Sequence, residues 1–534
     1  MATTGVAGAP ASYLDSRPRW WALTVLCVAV LVVNLDNTIL NVALPTLVTR
    51  LRATTDELQW IVDAYAMSFG GLLLLGGSLA DRFGRRRLFL VGLAVFGGGS
   101  LGAAFSGSVG PLIAWRAVMG AGAAMTIPSG LSIVNDMFRE AAERARAVAL
   151  WSGTIGLGIA IGPVAGGLLL SRFWWGSVFL VNVPVVIAGL VGTVLLVPES
   201  RSADPDRPDP LGSVLSILGL GLILWATIEG PNVGWLSVEI LATGAAGLAV
   251  IVGFVVWERR IDHPMLPLGF FRSRRFSIAV ISVGLGLFAL FGGLFIMTQF
   301  LQFFLGYSPL AAGLRILPIA GILAVGALAS TRVVEVIGTK LTTVAGLLSI
   351  VGGLAQIAAV STVTATYAVE LPGMLLIGLG AGLLVPAAID SVLGAVTQAD
   401  AGVGSATNST AMQVGGAIGV AVVGSVLSTR YRHSMRMAIA HSPVHVTPAA
   451  AHAILGSIGG ALKVARIVAQ IYGAHLGAKV AGAARAAFAL GSQTALVVGA
   501  SVTVVGALVA LIALPARPPK GGRDRPPEAG PTDP

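Results

Sequence analysis

Charge is what this chain has least of. Only 11% of its 534 residues are Asp, Glu, Lys or Arg, against roughly 25% in a soluble globular domain. Together with 55% hydrophobic residues and a mean hydropathy of +0.87, this excludes a water-soluble fold and points to a bilayer. Cysteine is nearly absent. Cys27 stands alone, which excludes an intramolecular disulfide and a paired-cysteine metal site. No Walker phosphate loop is present, so ATP drive is not expected. "GLGAGL" (378–383) has the glycines of a nucleotide loop but no strand before it, and reads as helix packing. No nucleophile–base pair or metal cluster emerges, which argues against an enzyme. Five of the six histidines fall at His433, His441, His445, His452 and His475, but Pro443 interrupts the His441–His445 spacing and no metal is expected. The net charge of +10 does not signal nucleic acid, because the basic residues sit in short loops between apolar runs and not along one face. No cofactor is expected.

What the chain has in abundance is apolar runs. They recur from Trp20 to Pro515, each long enough to cross the ~30 Å hydrocarbon core. The 70 glycines fit closely packed membrane helices. The first run is too long for a cleaved signal and contains Asp36. An all-α integral membrane protein of about fourteen helices follows, with spans near 21–44, 59–80, 88–106, 110–134, 147–170, 175–197, 211–228, 236–257, 276–301, 309–331, 341–360, 367–389, 402–427 and 491–514. The polar connectors "PESRSADPDRPDP" (198–210) and "ERRIDHPMLPLGFFRSRR" (258–275) set off two spans from six on either side.

The expected organisation is a cytoplasmic tail 1–20, a six-helix bundle 21–198, a linker with two inserted helices 199–275, a second six-helix bundle 276–515 and a cytoplasmic tail 516–534. Within the second bundle, 428–490 forms a long outer segment, whose amphipathic part predicts a helical hairpin over the outer mouth. An inside N-terminus puts Arg82, Arg85–Arg87, Arg139, Arg144, Arg146, Arg259, Arg260, Arg272, Arg274 and Arg275 in inner loops, as the positive-inside rule asks. Trp20, Trp21, Trp174, Trp175, Trp235 and Trp257 then fall at the interfaces. "GSLADRFGRRR" (77–87) and "STRVVEVIGTK" (330–340) are similar loops, one in each half, and suggest a repeat.

A few polar residues stand out against this background. Asp36, in "LVVNLDNTILNVALP", and Asp63, in "QWIVDAYAMSFGG", are carboxyls inside apolar spans. Such groups are functional by default, and loss of water favours the proton-bearing form of any buried acid. Asp36 is expected at the outer part of a cavity and Asp63 near the outer start of its span, partly solvated. Arg116, in "IAWRAVMGAGAAM", is a buried cation that needs a partner. Arg315 lies nearer an outer end, where it can snorkel. In "GSLADRFGRRR", Gly77 and Gly84 permit a tight turn, while Asp81, beside Arg82 and Arg85, is placed to accept from a neighbouring helix N-terminus. That contact would lock the two halves in one state and break in the other. "GLGIAIGPVAGG" (156–167) combines Pro163 with one smooth face of Gly158, Gly162, Gly166 and Gly167. Asn37, Asn41, Gln299, Asn408 and Gln413 are the polar residues expected at the substrate cavity.

With these residues in order, the chain resembles the major facilitator superfamily, and within it the fourteen-helix drug–proton antiporters of the EmrB/QacA type. "LDNTILNVALP" resembles the family's first-helix signature and "GSLADRFGRRR" its loop after the second helix. Gly158, Gly162, Pro163, Gly166 and Gly167 match its antiporter motif. "WWGSVFLVNVP" (174–184) and "GSATNSTAMQVGGAIGVAVVGS" (404–425) also look like family segments. The resemblance implies two six-helix bundles plus two inserted helices, rocker-switch alternating access, and export driven by proton entry. It implies proton or cation roles for Asp36 and Asp63, and proton transfer for Arg116. Relatives that export divalent cations can carry acids in the thirteenth helix, where this chain has Asn408, Ser409 and Gln413. Monovalent cationic or neutral amphipathic substrates are therefore expected, handled by a monomer in the cell membrane with no nucleic-acid partner. The alternatives are an exporter of an endogenous lipid, siderophore or metabolite on the same fold, and a non-transporting receptor or scaffold.

Overall fold

The computed structural model describes residues 16–202, 208–397, 401–441 and 446–515. Most of the first tail, the second tail, linker residues 203–207, and Pro443 with His445 lie outside the described residues. In chain order come α1 (Ser16–Arg50), α2 (Thr55–Phe83), α3 (Arg85–Ala104), α4 (Val109–Met137), α5 (Ala141–Arg172), α6 (Ser177–Leu180) and α7 (Asn182–Leu196). The inserted pair is α8 (Pro210–Val233) and α9 (Val238–Glu258). Then follow α10 (Arg274–Gln299), extended by a π-helical turn Phe300–Phe304, α11 (Pro309–Val360), α12 (Tyr367–Leu393) and α13 (Ala401–Ala440). The chain closes with α14 (Pro448–Gly456), α15 (Ile458–Tyr472) and α16 (Ala474–Ala513). No strand occurs among the described residues.

Among the described residues, thirteen helices are long and apolar enough to cross a membrane. The 52-residue α11 counts twice, because Gly338 turns it back at φ +82°, a conformation that favours glycine. α6 and α7 abut at Val181, which stays helical, and together make one span. Fourteen crossings result. Local chemistry sets the helix ends. Thr54 and Glu57 form a reciprocal capping box at the start of α2, the Glu57 carboxylate accepting from the Thr54 amide at 2.8 Å. Gly84 (φ +112°) turns α2 into α3.

Two apolar cores organise the crossings, one from α1–α7 around Leu26, Phe89, Phe96 and Leu112, and one from α10–α13 and α16 around Leu347, Met374, Leu384 and Phe488. Glycine seams run through both. Gly76 lies on the Ala124 backbone and Gly120 on the Tyr65 backbone, so α2 and α4 touch at main-chain distance. Gly346 and Gly380 do the same for α11 and α12. The inserted α8 packs outside both cores, where Leu220, Leu224 and Ile228 meet Ala417 and Ala421 of α13 and Trp60 and Met67 of α2.

The outer segment departs from the expected pattern. The thirteenth span does not stop near 427 but continues to Ala440, because no glycine or proline interrupts Ser425–His441. α16 likewise begins at Ala474, well before its apolar stretch, after Gly473 (φ +97°) ends α15. The hairpin is thus α15 against the start of α16, with α14 beside it. These elements form a cap on one end of the molecule. The turn bearing Arg82 and Arg85–Arg87 lies at the other, basic end.

Hydrogen bonds joining the two halves gather at the cap end. Gln59 of α2 donates to Ala421 O (2.8 Å) and Val420 O (3.1 Å) of α13. Asp56 pairs with Arg432 at 2.7 Å, and the Thr55 hydroxyl donates to Gly456 O at 3.1 Å. Gln302 donates to Val42 O at 2.9 Å.

Candidate functional site

The first polar cluster lies inside the N-terminal half. α1 carries Asp36, α4 carries Arg116, and both are fully buried. Arg116 Nη1 forms an ion pair with Asp36 Oδ2. The other carboxylate oxygen accepts from Asn182 Nδ2 at 3.0 Å, and the same amide donates to Ser100 Oγ at 3.1 Å. Arg116 Nε donates to Ile61 O at 3.0 Å, and its guanidinium lies 4.4 Å from the Tyr65 ring centroid. Five helices, α1 to α4 and α7, thereby converge on one ion pair. A buried charge pair persists only when its remaining donors and acceptors are satisfied, and these contacts do that. The expectation that Asp36 lines a cavity is corrected: the carboxylate is enclosed and held by Arg116 and Asn182.

Asp63 is a different case. It was expected to be partly solvated, yet it is fully buried, on a face of α2 whose Gln59 and Gly70 pack against Ala421 and Gln413 of α13. Both its oxygens lack a hydrogen-bond partner among the described residues. Its place on α2 is informative. Gln59, Asp63 and Gly70 recur at helical spacing, and Gln59 and Gly70 both meet α13. Asp63 therefore belongs to the stripe that faces the opposite half.

The remaining predicted residues divide. Asn37 and Asn41 are half-buried on α1; Asn37 Oδ1 lies 3.5 Å from Arg116 Nη2, and Asn41 Nδ2 donates to Asn37 O at 3.0 Å. Gln299 and Asn408 are buried and not in an open cavity. Gln299 bonds back to Phe295 O at 3.3 Å, and Asn408 Nδ2 donates to the Met412 sulfur at 3.7 Å. Gln413 is half-buried, with its Cβ against Gly70 at the seam between halves. Arg315 does not snorkel but stacks on Tyr307, 3.8 Å from the ring centroid, and contacts Tyr367.

The glycine motif of α5 does not form one face but serves two. Gly158, Gly162 and Gly166 lie on α1 beside Asn34, Thr38 and Ile39. The Thr38 hydroxyl lies 2.9 Å from Gly158 O, two residues from Asp36. Gly167 and the Pro163 carbonyl instead meet α11 at Leu310 and Gly313. Helix α5 is thus both wall to the α1 cluster and a bearing surface against the other half.

In the basic loop, Asp81 accepts from Arg85 Nε at 2.8 Å, and Arg85 also pairs with Asp136 at the end of α4. Ser200 O accepts from Arg85 N at 2.9 Å, and Arg87 reaches Glu199 at 3.6 Å. Gly84 faces Glu199, Gly77 lies near Pro128, and Arg82 is exposed. The expected lock between Asp81 and a helix of the other half is not what the structure contains. These partners belong to the N-terminal half and the start of the linker, because the halves join at the cap end. Residues missed in the sequence are Asn182, Ser100, Tyr65, Gln59 and the Asp56–Arg432 pair. Asn182 lay within "WWGSVFLVNVP", and Gln59 and Tyr65 flank Asp63, but none is a charge inside an apolar run.

Comparison with known proteins agrees with this architecture. The sequence pattern of the Major Facilitator Superfamily matches residues 26–420. The chain is 34% identical over 511 residues to the multidrug efflux pump LfrA of Mycolicibacterium smegmatis, covering 96% of this chain and 99% of that protein. It is 33% identical to the tetracenomycin C resistance and export protein of Streptomyces glaucescens, over 96% and 95% of the two chains. Among solved structures, a bacterial homolog of the human lysosomal transporter Spinster superposes with a TM-score of 0.63 at 17% identity, over 93% of this chain and 98% of that one. The chain therefore belongs to the major facilitator superfamily and is a multi-pass membrane transporter protein.

Proposed function

We propose that this major facilitator superfamily member is a proton-coupled exporter of amphipathic compounds, monovalent cations or neutral molecules, working as a monomer by alternating access. Its basic end and both termini face the cytoplasm in this reading, and the cap faces outward. The similarity to drug-exporting relatives supports the substrate class. The lack of carboxylates on α13, where Asn408 and Gln413 stand, supports a single positive charge at most.

One observation carries the coupling: two buried acids sit in opposite electrostatic settings. Asp36 is matched by Arg116 and Asn182. Asp63 has no partner among the described residues and faces the seam between halves. A carboxylate left dry and unpaired costs several kcal/mol, and a neutral acid far less. Asp63 is thus the group that holds a proton while the cap end is closed. When the seam parts outward, Asp63 takes up a proton and gives up a cationic substrate to the outside; with the cap end closed, the proton leaves toward the cytoplasm as the next cation takes its place. One carboxyl cannot satisfy both, so proton and cation exchange. Asp36 and Arg116 hold α1, α4 and α7 around that site as a positioning pair.

The test is Asp63→Asn in proteoliposomes with an imposed pH gradient. Coupled efflux of a cationic dye should fall at least tenfold with the fold intact. Wild-type efflux in that variant would overturn the assignment. Asp36→Asn is the poorer test, because it leaves buried Arg116 without its anion and compromises folding as well as coupling.

A further inference from the structure

From Ala401 to Pro515 the chain contains no Asp or Glu, but seven Lys or Arg. Four of these, Lys463, Arg466, Lys479 and Arg485, lie on α15 and the start of α16. The two helices are in close contact through Gly477, which sits on Ala469 and the Ala465 carbonyl. α15 buries Ile458, Ala461 and Ala465, and its Gly459 lies on Phe303 and Val48. Between α15, α16 and the π-helical end of α10 is a groove of about 410 Å³. Phe303, Leu462 and Ala465 give it an apolar floor, Gln302 a polar edge, and Arg466 and Arg485 two guanidinium groups. No carboxylate lines it, and neither arginine has an ion pair among the described residues.

The outward face of α15 is equally telling. Ile467, Ile471 and Tyr472 are 46%, 66% and 58% exposed, next to exposed Lys463 and Arg466. Apolar side chains interleaved with cations, without anions, are the pattern of a helix lying at a bilayer surface. A soluble inorganic anion would leave Phe303 and Leu462 unused, and a cation would meet two like charges. A ligand with an anionic head and an apolar tail satisfies both kinds of surface at once.

We propose that the groove between α15, α16 and the end of α10 binds the headgroup of an anionic phospholipid of the outer leaflet, with Arg466 and Arg485 on the phosphate and Phe303 and Leu462 against the start of its acyl chains. The lipid holds the cap at the membrane surface. This site is separate from the coupling acids, so its test is read without transport.

The experiment titrates the purified full-length protein in detergent with phosphatidylglycerol and with phosphatidylcholine of the same acyl chains, reading binding by native mass spectrometry. Each basic residue near an anionic lipid is worth about fivefold in affinity. Wild type should bind phosphatidylglycerol at least tenfold tighter than phosphatidylcholine, and Arg466→Glu with Arg485→Glu should erase that preference. Ala465→Trp, which fills the groove without changing charge, should weaken phosphatidylglycerol binding too. Arg430→Glu with Arg436→Glu, on the flank of the cap, should retain the preference. Equal affinity for the two lipids in wild type would overturn the proposal, as would a preference that survives in both groove variants. Loss of the preference in the flanking variant would also overturn it, because patch charge alone would then be sufficient. Competitive displacement of the phospholipid by an exported dye would reassign the groove to the substrate's exit path.

Discussion

The two halves of this transporter are alike in backbone and unlike in charge. Both are built on glycine seams that bring helix axes to contact distance, Gly76 and Gly120 in one and Gly346 and Gly380 in the other. Both fasten the basic end with an arginine–aspartate pair, Arg85 with Asp136 and Arg275 with Asp390. Their interiors differ. The N-terminal half encloses Asp36, Arg116 and Asp63, whereas the C-terminal half offers Glu370 near the cap end and otherwise amides and hydroxyls such as Gln299, Asn408 and Ser282. Close packing is therefore common to both bodies, and buried charge is concentrated in one. A repeat fold needs matched hinges to rock, but it needs only one set of titratable groups to couple that motion to protons.

The largest break of this asymmetry is Arg116→Gln. Removing one member of a buried ion pair costs about 3–5 kcal/mol, so thermal unfolding should move sharply downward and efflux should be lost. Adding Asp36→Asn should restore much of the stability but none of the coupling, which separates folding from function. Next is Asp63→Asn, which should leave thermal stability at or above wild type while pH-driven efflux falls at least tenfold. In the C-terminal half, Asn408→Ala and Gln413→Ala should change the rank order of exported compounds by a few fold while leaving the measured proton-to-substrate ratio intact. A lost ratio there would mean that coupling is shared between the halves. The smallest effect belongs to the cap contact. Arg432→Gln removes a partly buried pair with Asp56, worth on the order of 1 kcal/mol, and should raise labelling of an outer-seam cysteine probe roughly fivefold.

Much of the fold was legible because bilayer crossings leave long apolar runs and their loops carry arginine. The outer segment was less so. Arg430, Arg432 and Arg436 look like a loop to a hydropathy reading, yet nothing in that stretch stops a helix, and α13 continues through them. Asp63 was misread for a different reason. Its position near a span end suggested water, but its face of α2 packs against α13. Asp36 and Arg116 were visible as lone charges in apolar surroundings. Their pairing was not, nor was Asn182, because each contact joins helices far apart in the chain. The α5 glycines were visible as a motif, but which face each serves depends on where α1 and α11 lie.

The inserted hairpin makes the two flanks of the junction between the halves unlike. α8 lies across the junction of α2 and α13, with Ile217 against Gly71 and Leu224 beside Ala421. The corresponding junction of α5 and α11, where Gly167 meets Leu310, carries no such roof among the described residues. The two flanks along which the halves meet are thus unequal: α8 covers one from outside, and the other is sealed by the direct contact of α5 with α11 alone.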